Sequence, residues 1–227
     1  MRYSHTVKGR FLSRPNRFIA HVEVEGEVQI CHVKNTGRCR ELLLPGATVI
    51  LEKSQNPNRR TAYDLVAVYK GETLINMDSQ APNAVLGEWL QTTDYFGKLT
   101  KIQPECSFGS SRFDFYLETA EQKIFAEVKG VTLEKDGVVS FPDAPTQLGV
   151  KHIYVLIEAK KQGYGAYLFF VVQMQHCTRF EANRRTDPAF ADALEQAKAA
   201  GVTVCVLTCH TREDLLEIDT FLTPTEG

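Results

Sequence analysis

The chain has 227 residues, 43% of them hydrophobic and 24% charged, with a formal net charge of −2. That composition suits one large or two small globular domains, and it excludes nucleic-acid binding driven by overall charge, so any such contact needs a local basic patch. No run approaches the ~20 apolar residues of a membrane span and the N-terminus lacks a signal-peptide core, so a cytoplasmic protein without a membrane partner is expected.

Residues 1–80 hold no long helical pattern. Strands are predicted at 18–24, 27–32, 48–52, 63–69 and 73–77, separated by turn signals such as Glu25-Gly26, Pro45-Gly46 and Lys70-Gly71. Five short strands in so short a stretch predict a small barrel of the OB type, a fold that often binds single strands through basic grooves and stacking aromatics. Lys34, Arg38 and Arg40 cluster around the Asn35-Thr36-Gly37 turn, beside a short helix predicted at 40–44. Arginines and turn N–H groups together make a reasonable phosphate site, so these three are nucleic-acid-binding candidates. Arg10, Arg14, Arg17, Arg59 and Arg60 add charge, and His32 reads as a barrel-wall residue.

The polar break at 78–83 predicts a boundary between domains 1–80 and 81–227. A helical segment at 84–90 carries Glu88, and a strand at 102–108 carries Glu105. Pro142, Asp143 and Pro145 lead into a helix at 146–161, where Gln147 and Lys151 share a face. The apolar run 166–173 is a buried central strand, Asp187-Pro188 opens a helix to residue 200, and 202–207 is another buried strand. This order predicts a mixed sheet flanked by helices, an α+β arrangement. The six cysteines are scattered without a Cys-x-x-Cys and read as free thiols of a reducing compartment. Cys205, Cys209 and His210 have poor spacing for zinc.

The chemistry concentrates at 111–130. Phe113, Phe115 and Leu117 alternate with Arg112, Asp114 and Tyr116, and Ile124, Ala126 and Val128 alternate with Phe125, Glu127 and Lys129. Both runs are predicted strands of one hairpin. A turn centred between Ala120 and Glu121 sets Asp114 opposite Glu127 and Arg112 opposite Lys129, on one face. Two carboxylates can hold Mg²⁺ while it keeps several waters, and Lys129 can position an attacking water or offset transition-state charge. Glu105 is a third candidate ligand or a partner for Arg112. Arg112, Gln147 and Lys151 are candidate backbone contacts. The other reading is a solvated strand face.

The spacing Asp114-x(12)-Glu127-x-Lys129 resembles the core of the PD-(D/E)xK nucleases. Over nearly its whole length the chain resembles the bacterial sugar fermentation stimulation protein A family. The resemblance rests on Arg14 to Phe18, His32, Asn35-Thr36-Gly37-Arg38, Glu41-Leu42, Pro45-Gly46, Tyr63-Asp64 and Pro82-Asn83. It continues through Ser111 to Phe115, Glu127 to Leu133, Phe141 to Thr146 and Lys151-His152. Gln147-Leu148 departs from the more basic pair expected there. The resemblance implies an N-terminal OB-like barrel, a C-terminal nuclease-like domain, DNA binding without strong sequence preference, and a regulatory link to maltose and other sugar use. RNA is a further candidate partner. Two functions stand open: a Mg²⁺-dependent nuclease, and a non-catalytic DNA-binding regulator that keeps the nuclease fold. A sugar- or nucleotide-binding module finds no Gly-rich phosphate loop to support it.

Overall fold

The structure, a computed structural model, describes residues 1–35 and 37–222. Its first part is built from β1 (Thr6–Asn16), β2 (Ile19–Val24), β3 (Glu27–Val33), β4 (Thr48–Lys53), β5 (Tyr63–Lys70) and β6 (Thr73–Asn76). They pair in the order β3-β2-β1-β4-β5-β6. Parallel pairing of Cys31, His32 and Val33 with Tyr63, Asp64 and Leu65 closes β1 to β5 into the OB-like barrel. Two details depart from the sequence expectation. β1 was not anticipated, and β6 extends the sheet from β5 instead of forming a barrel wall. The reason lies in β1 itself. It contains Gly9 and Pro15, and its register with β2 shifts after Phe11 and again after Ser13, so no clean alternation survives. The helix expected at 40–44 is a single turn, with Leu42 N and Leu43 N both bonded to Cys39 O.

The second part opens with α1 (Ala81–Thr92), followed by β7 (Lys101–Phe108), β8 (Ser111–Glu118), β9 (Lys123–Val131), β10 (Leu133–Lys135) and β11 (Val138–Phe141). Then come α2 (Gln147–Lys161), β12 (Gly165–Val172), β13 (Arg179–Ala182), α3 (Pro188–Ala199), β14 (Thr203–Arg212) and β15 (Leu215–Phe221). The main sheet runs β15-β14-β12-β9-β8-β7. β9, β12 and β14 are parallel and the outer pairings are antiparallel, which is the mixed sheet expected. β12 is the buried centre, as its unbroken apolar run implies. α1 covers one face through Val85, Leu86 and Leu90, while α2 and α3 cover the other through Ile153, Leu156, Phe190 and Leu194. The small sheet β10-β11-β13 and the edge strand β15 were not anticipated. β10, β11 and β13 are three or four residues long, too short to show a period.

The barrel and the main sheet share one continuous core, which includes Phe11, Val33, Leu65 and Met77 on one side and Val131, Val172 and Met174 on the other. A buried polar seam runs beside it. Gln173 Nε2 donates to Asn76 Oδ1 at 2.9 Å and Asp78 O at 3.0 Å, and Tyr3 Oη lies 3.3 Å from Asp78 Oδ2. All six cysteines are free thiols. Among the described residues no helix is long and apolar enough to cross a membrane.

Candidate active site

The β8–β9 ladder has the register expected from the turn, with Phe115↔Ala126, Tyr116↔Phe125, Leu117↔Ile124 and Glu118↔Lys123. The ladder stops there. Arg112 pairs across to Ser107 of β7, and Lys129 to Phe170 of β12, so these two do not face each other in a shared ladder. The alternation also breaks at Asp114. Phe113 joins the core beneath α2 with Tyr116 and Phe125, whereas Phe115 and Leu117 join the core beneath α1. The β7–β8 ladder likewise skips Asp114, whose registry neighbour Glu105 takes φ 53°. This irregularity frees the Asp114 carboxylate from the regular pleat.

Asp114 and Glu127 come together as the sequence predicted, and their surroundings differ. Asp114 Oδ2 accepts from Val128 N at 2.8 Å and Oδ1 accepts from Asn83 Nδ2 at 2.7 Å. Burial, and next the Glu127 charge, push the Asp114 carboxyl above the ordinary carboxylate range, outweighing the two hydrogen bonds and the Lys129 charge. Glu127 is 2% exposed. Burial pushes its carboxyl up as well, but bonds from His152 and Lys129 outweigh it and hold Glu127 below the ordinary range. Lys129 Nζ donates to Glu127 Oε1 at 2.6 Å, and His152 Nδ1 donates to the same oxygen. The other oxygen, Glu127 Oε2, is buried and has no hydrogen-bond partner. A buried, unpartnered carboxylate oxygen is costly unless something binds it.

Asn83 and His152 were not among the predicted site residues. Asn83 lies in the first turn of α1, next to Pro82 at the second helical position, and the approach of this turn to β9 needs Gly130. A Cβ at Gly130 would stand 2.7 Å from Pro82 Cγ and 2.5 Å from Gln173 Oε1. His152 lies on α2, whose start is fixed by Thr146 Oγ1 accepting from Gly149 N and by Asp187 accepting from Thr146 N.

The remaining candidates sit elsewhere. Glu105 is exposed and pairs with Arg112 at 3.4 Å, the partner role held open for it. Glu88 is also exposed, 2.6 Å from the Met1 amino group. Gln147 and Lys151 do share an exposed face of α2, lining a groove of about 620 Å³ against the 108–111 turn. Among the described residues no group of three or more His, Cys, Asp or Glu is arranged to hold a metal ion, so a metal here would rest on the two carboxylates and water. On the barrel, Lys34 Nζ lies 2.6 Å from Asp78 Oδ2, so it is committed to the seam. Arg38 and Arg40 line a groove of about 490 Å³ with Arg14 and Arg17. Arg14 is spent on its own loop, donating to the carbonyls of Arg17, Asn35, Gly37 and Arg38 at 2.6–2.9 Å. Arg17, Arg38 and Arg40 are exposed.

Residues 12–77 match the model of the SfsA N-terminal OB domain, and residues 80–214 match that of the sugar fermentation stimulation protein RE domain. The chain belongs to the sugar fermentation stimulation protein family. A homologue so named in Desulfitobacterium hafniense strain DCB-2 is 54% identical over 223 residues, covering 98% of this chain and 97% of its own. One from Clostridium beijerinckii is 51% identical over 218 residues, covering 96% of each. The structure of Pyrococcus furiosus SfsA in complex with Ca²⁺ superposes with a TM-score of 0.89 at 24% identity, covering 98% of this chain and 96% of that one. At that identity the likeness establishes the shared fold. Within the family's two-part fold, the carboxylate pair falls in the RE domain and the arginine groove in the OB domain.

Proposed function

We propose that this member of the family is a Mg²⁺-dependent phosphodiesterase that binds nucleic acid with weak sequence preference, acting within the control of sugar use that its relatives' name denotes. The observation that carries this reading is the unpartnered, buried Glu127 Oε2 beside an Asp114 whose ionisation the Glu127 charge opposes. A divalent cation relieves both. The donor set is two hard carboxylates, which suits an ion that keeps several of its waters. Pyrococcus furiosus SfsA was solved with Ca²⁺, an ion of the same oxygen-seeking class. When bound, Mg²⁺ supplies charge for the phosphoryl oxygens and a more acidic water.

The protein's own groups do the rest. Val128 N and Asn83 fix the Asp114 carboxylate in place, and His152 fixes Glu127. Lys129, 2.6 Å from Glu127, orients the attacking water and offsets charge that develops on phosphorus-bound oxygen. Arg17, Arg38 and Arg40 contact phosphates and contribute no base reading, so binding is salt-dependent and weakly selective. A second reading, a DNA-binding regulator without turnover, draws on that arginine groove alone.

Labelled single- and double-stranded DNA and RNA incubated with Mg²⁺, Mn²⁺ or EDTA separate the two. Metal-dependent cutting by the natural protein, lost in Asp114→Asn with binding retained, is expected. Cutting that survives Asp114→Asn rejects the proposed site. Binding without cutting leaves the regulator.

A further inference from the structure

Where β3 and β5 close the barrel, a second pocket of about 410 Å³ opens toward the start of α1, with Phe18, His32, Lys34, Arg59, Ser79 and Gln80 in its lining. None of these touches the carboxylate pair. Its charges cancel internally. Arg59 donates to both oxygens of Asp64 at 2.6 and 2.7 Å, His32 Nδ1 lies 2.8 Å from Asp64 Oδ1, and Lys34 is held by Asp78. The neighbouring groove is the opposite, because Arg17, Arg38 and Arg40 make no ion pair among the described residues. Phosphates bind where cations are free. A pocket whose cations are already paired, with an aromatic ring at its rim, suits a flat, uncharged, hydrogen-bonding group.

Phe18 is that ring. It is 51% exposed, yet its backbone is pinned on both sides. Phe18 N donates to Asn16 Oδ1 at 2.9 Å, and Phe18 O accepts from Val33 N at 2.8 Å. With its backbone already fixed, the ring has only its own side-chain rotation to lose on stacking. Asp64 sets the orientation of the His32 imidazole, and Gln80 supplies an exposed amide. Phe18 directly follows Arg17, so ring and phosphate groove adjoin. The pocket shares Asn35 and Ser79 with a smaller cleft of about 160 Å³ that continues to Pro82 and Gly130, the chain neighbours of Asn83 and Lys129.

We infer that this pocket is a base subsite: it takes one unpaired base, stacked on Phe18, from a strand whose phosphates lie on Arg17, Arg38 and Arg40. The substrate class is single-stranded nucleic acid, since a duplex keeps the faces of its bases stacked. This inference rests on the nucleic-acid reading above and names its substrate. The test is fluorescence anisotropy with labelled oligothymidylate and a labelled duplex, with EDTA present so that no cutting competes. Phe18→Ala, an exposed change, is expected to weaken single-strand binding about tenfold. It leaves duplex binding and the slope of affinity against salt unchanged, and Phe18→Tyr restores affinity. Arg38→Ala lowers the salt slope. Phe18→Ala binding oligothymidylate as tightly as the natural protein, or losing both substrates equally, overturns the base subsite and leaves the phosphodiesterase reading standing. A natural protein that binds neither oligonucleotide overturns both.

Discussion

Lys34 illustrates how burial reassigns a basic residue. The sequence groups it with Arg38 and Arg40 as a phosphate contact, but its ammonium lies 2.6 Å from Asp78, whose side chain is wholly buried. Asp78 also accepts from Gln80 N at 2.9 Å and sits 3.3 Å from Tyr3 Oη. Burial, and next the Asp78 charge, push the Tyr3 phenol well above its ordinary range. Lys34→Met keeps the apolar stem and strands the carboxylate. Removing one partner of a buried pair costs about 3–5 kcal/mol. Here two contacts to Asp78 survive and Lys34 retains 21% exposure, which places the loss at about 2–3 kcal/mol. For a chain of this size that is a fall in Tm of about 4–12 °C, and a urea midpoint lower by about 1 M. Urea unfolding followed by circular dichroism, on Lys34→Met, Asp78→Asn and the double variant, gives the measurement. The double variant strands no charge, so a coupling of about 1–2 kcal/mol is expected. Lys34→Met within about 0.5 kcal/mol of the natural protein refutes the reasoning and returns Lys34 to the surface cations.

Asp114 ionises with more difficulty in the folded than in the unfolded chain, so stability falls as pH rises from the unfolded carboxylate range through its raised pKa. Asp114→Asn removes that penalty. The variant amide leaves one of the two donors, Val128 N or Asn83 Nδ2, without an acceptor at every pH, so in metal-free buffer the expected effect is a smaller fall in stability from acid to neutral pH than the natural protein shows. Melting temperatures of the two proteins that run parallel from acid to neutral pH count against it. Glu127 has the opposite sign: its lowered pKa adds stability that is present above the unfolded carboxylate range and lost as pH falls through the folded value. His152→Ala weakens that support, so acid unfolding followed by circular dichroism should begin at higher pH; an unmoved midpoint rejects the His152 bond. Gly130→Ala places a Cβ 2.5 Å from Gln173 Oε1, on an amide whose Nε2 is held by donating to Asn76 Oδ1 and Asp78 O. A loss of about 1–3 kcal/mol in urea unfolding is expected, and a neutral result means that α1 can retreat from β9.

The hairpin and its register were legible because turn length and period-two alternation are local properties of the chain. The central strand β12 was legible from an apolar run that only a strand covered on both faces tolerates. What escaped was whatever depends on how helices dock. Asn83 and His152 arrive from α1 and α2, and their positions are set by Gly130, Pro82, Thr146 and Asp187, none of which advertises a carboxylate partner. Pro82-Asn83 and Lys151-His152 did stand among the residues that carry the family resemblance, and that was the available signal. β1 escaped because its bulges break the alternation, and Lys34 because the sequence cannot show that Asp78 is buried.

The shared core has a consequence for anyone who handles the protein in pieces. Family models divide the sequence near residue 80, yet Phe11 and Leu65 belong to the same packed cluster as Val172 and Phe190, and the Met1 amino group bonds Leu216 O across the whole length of the chain. A fragment cut at that division would present half of a hydrophobic interior to water, together with Asp78 or Gln173 deprived of its partner. Matched by two family models, the chain should still melt as one, with a single calorimetric transition whose measured enthalpy equals its van't Hoff value.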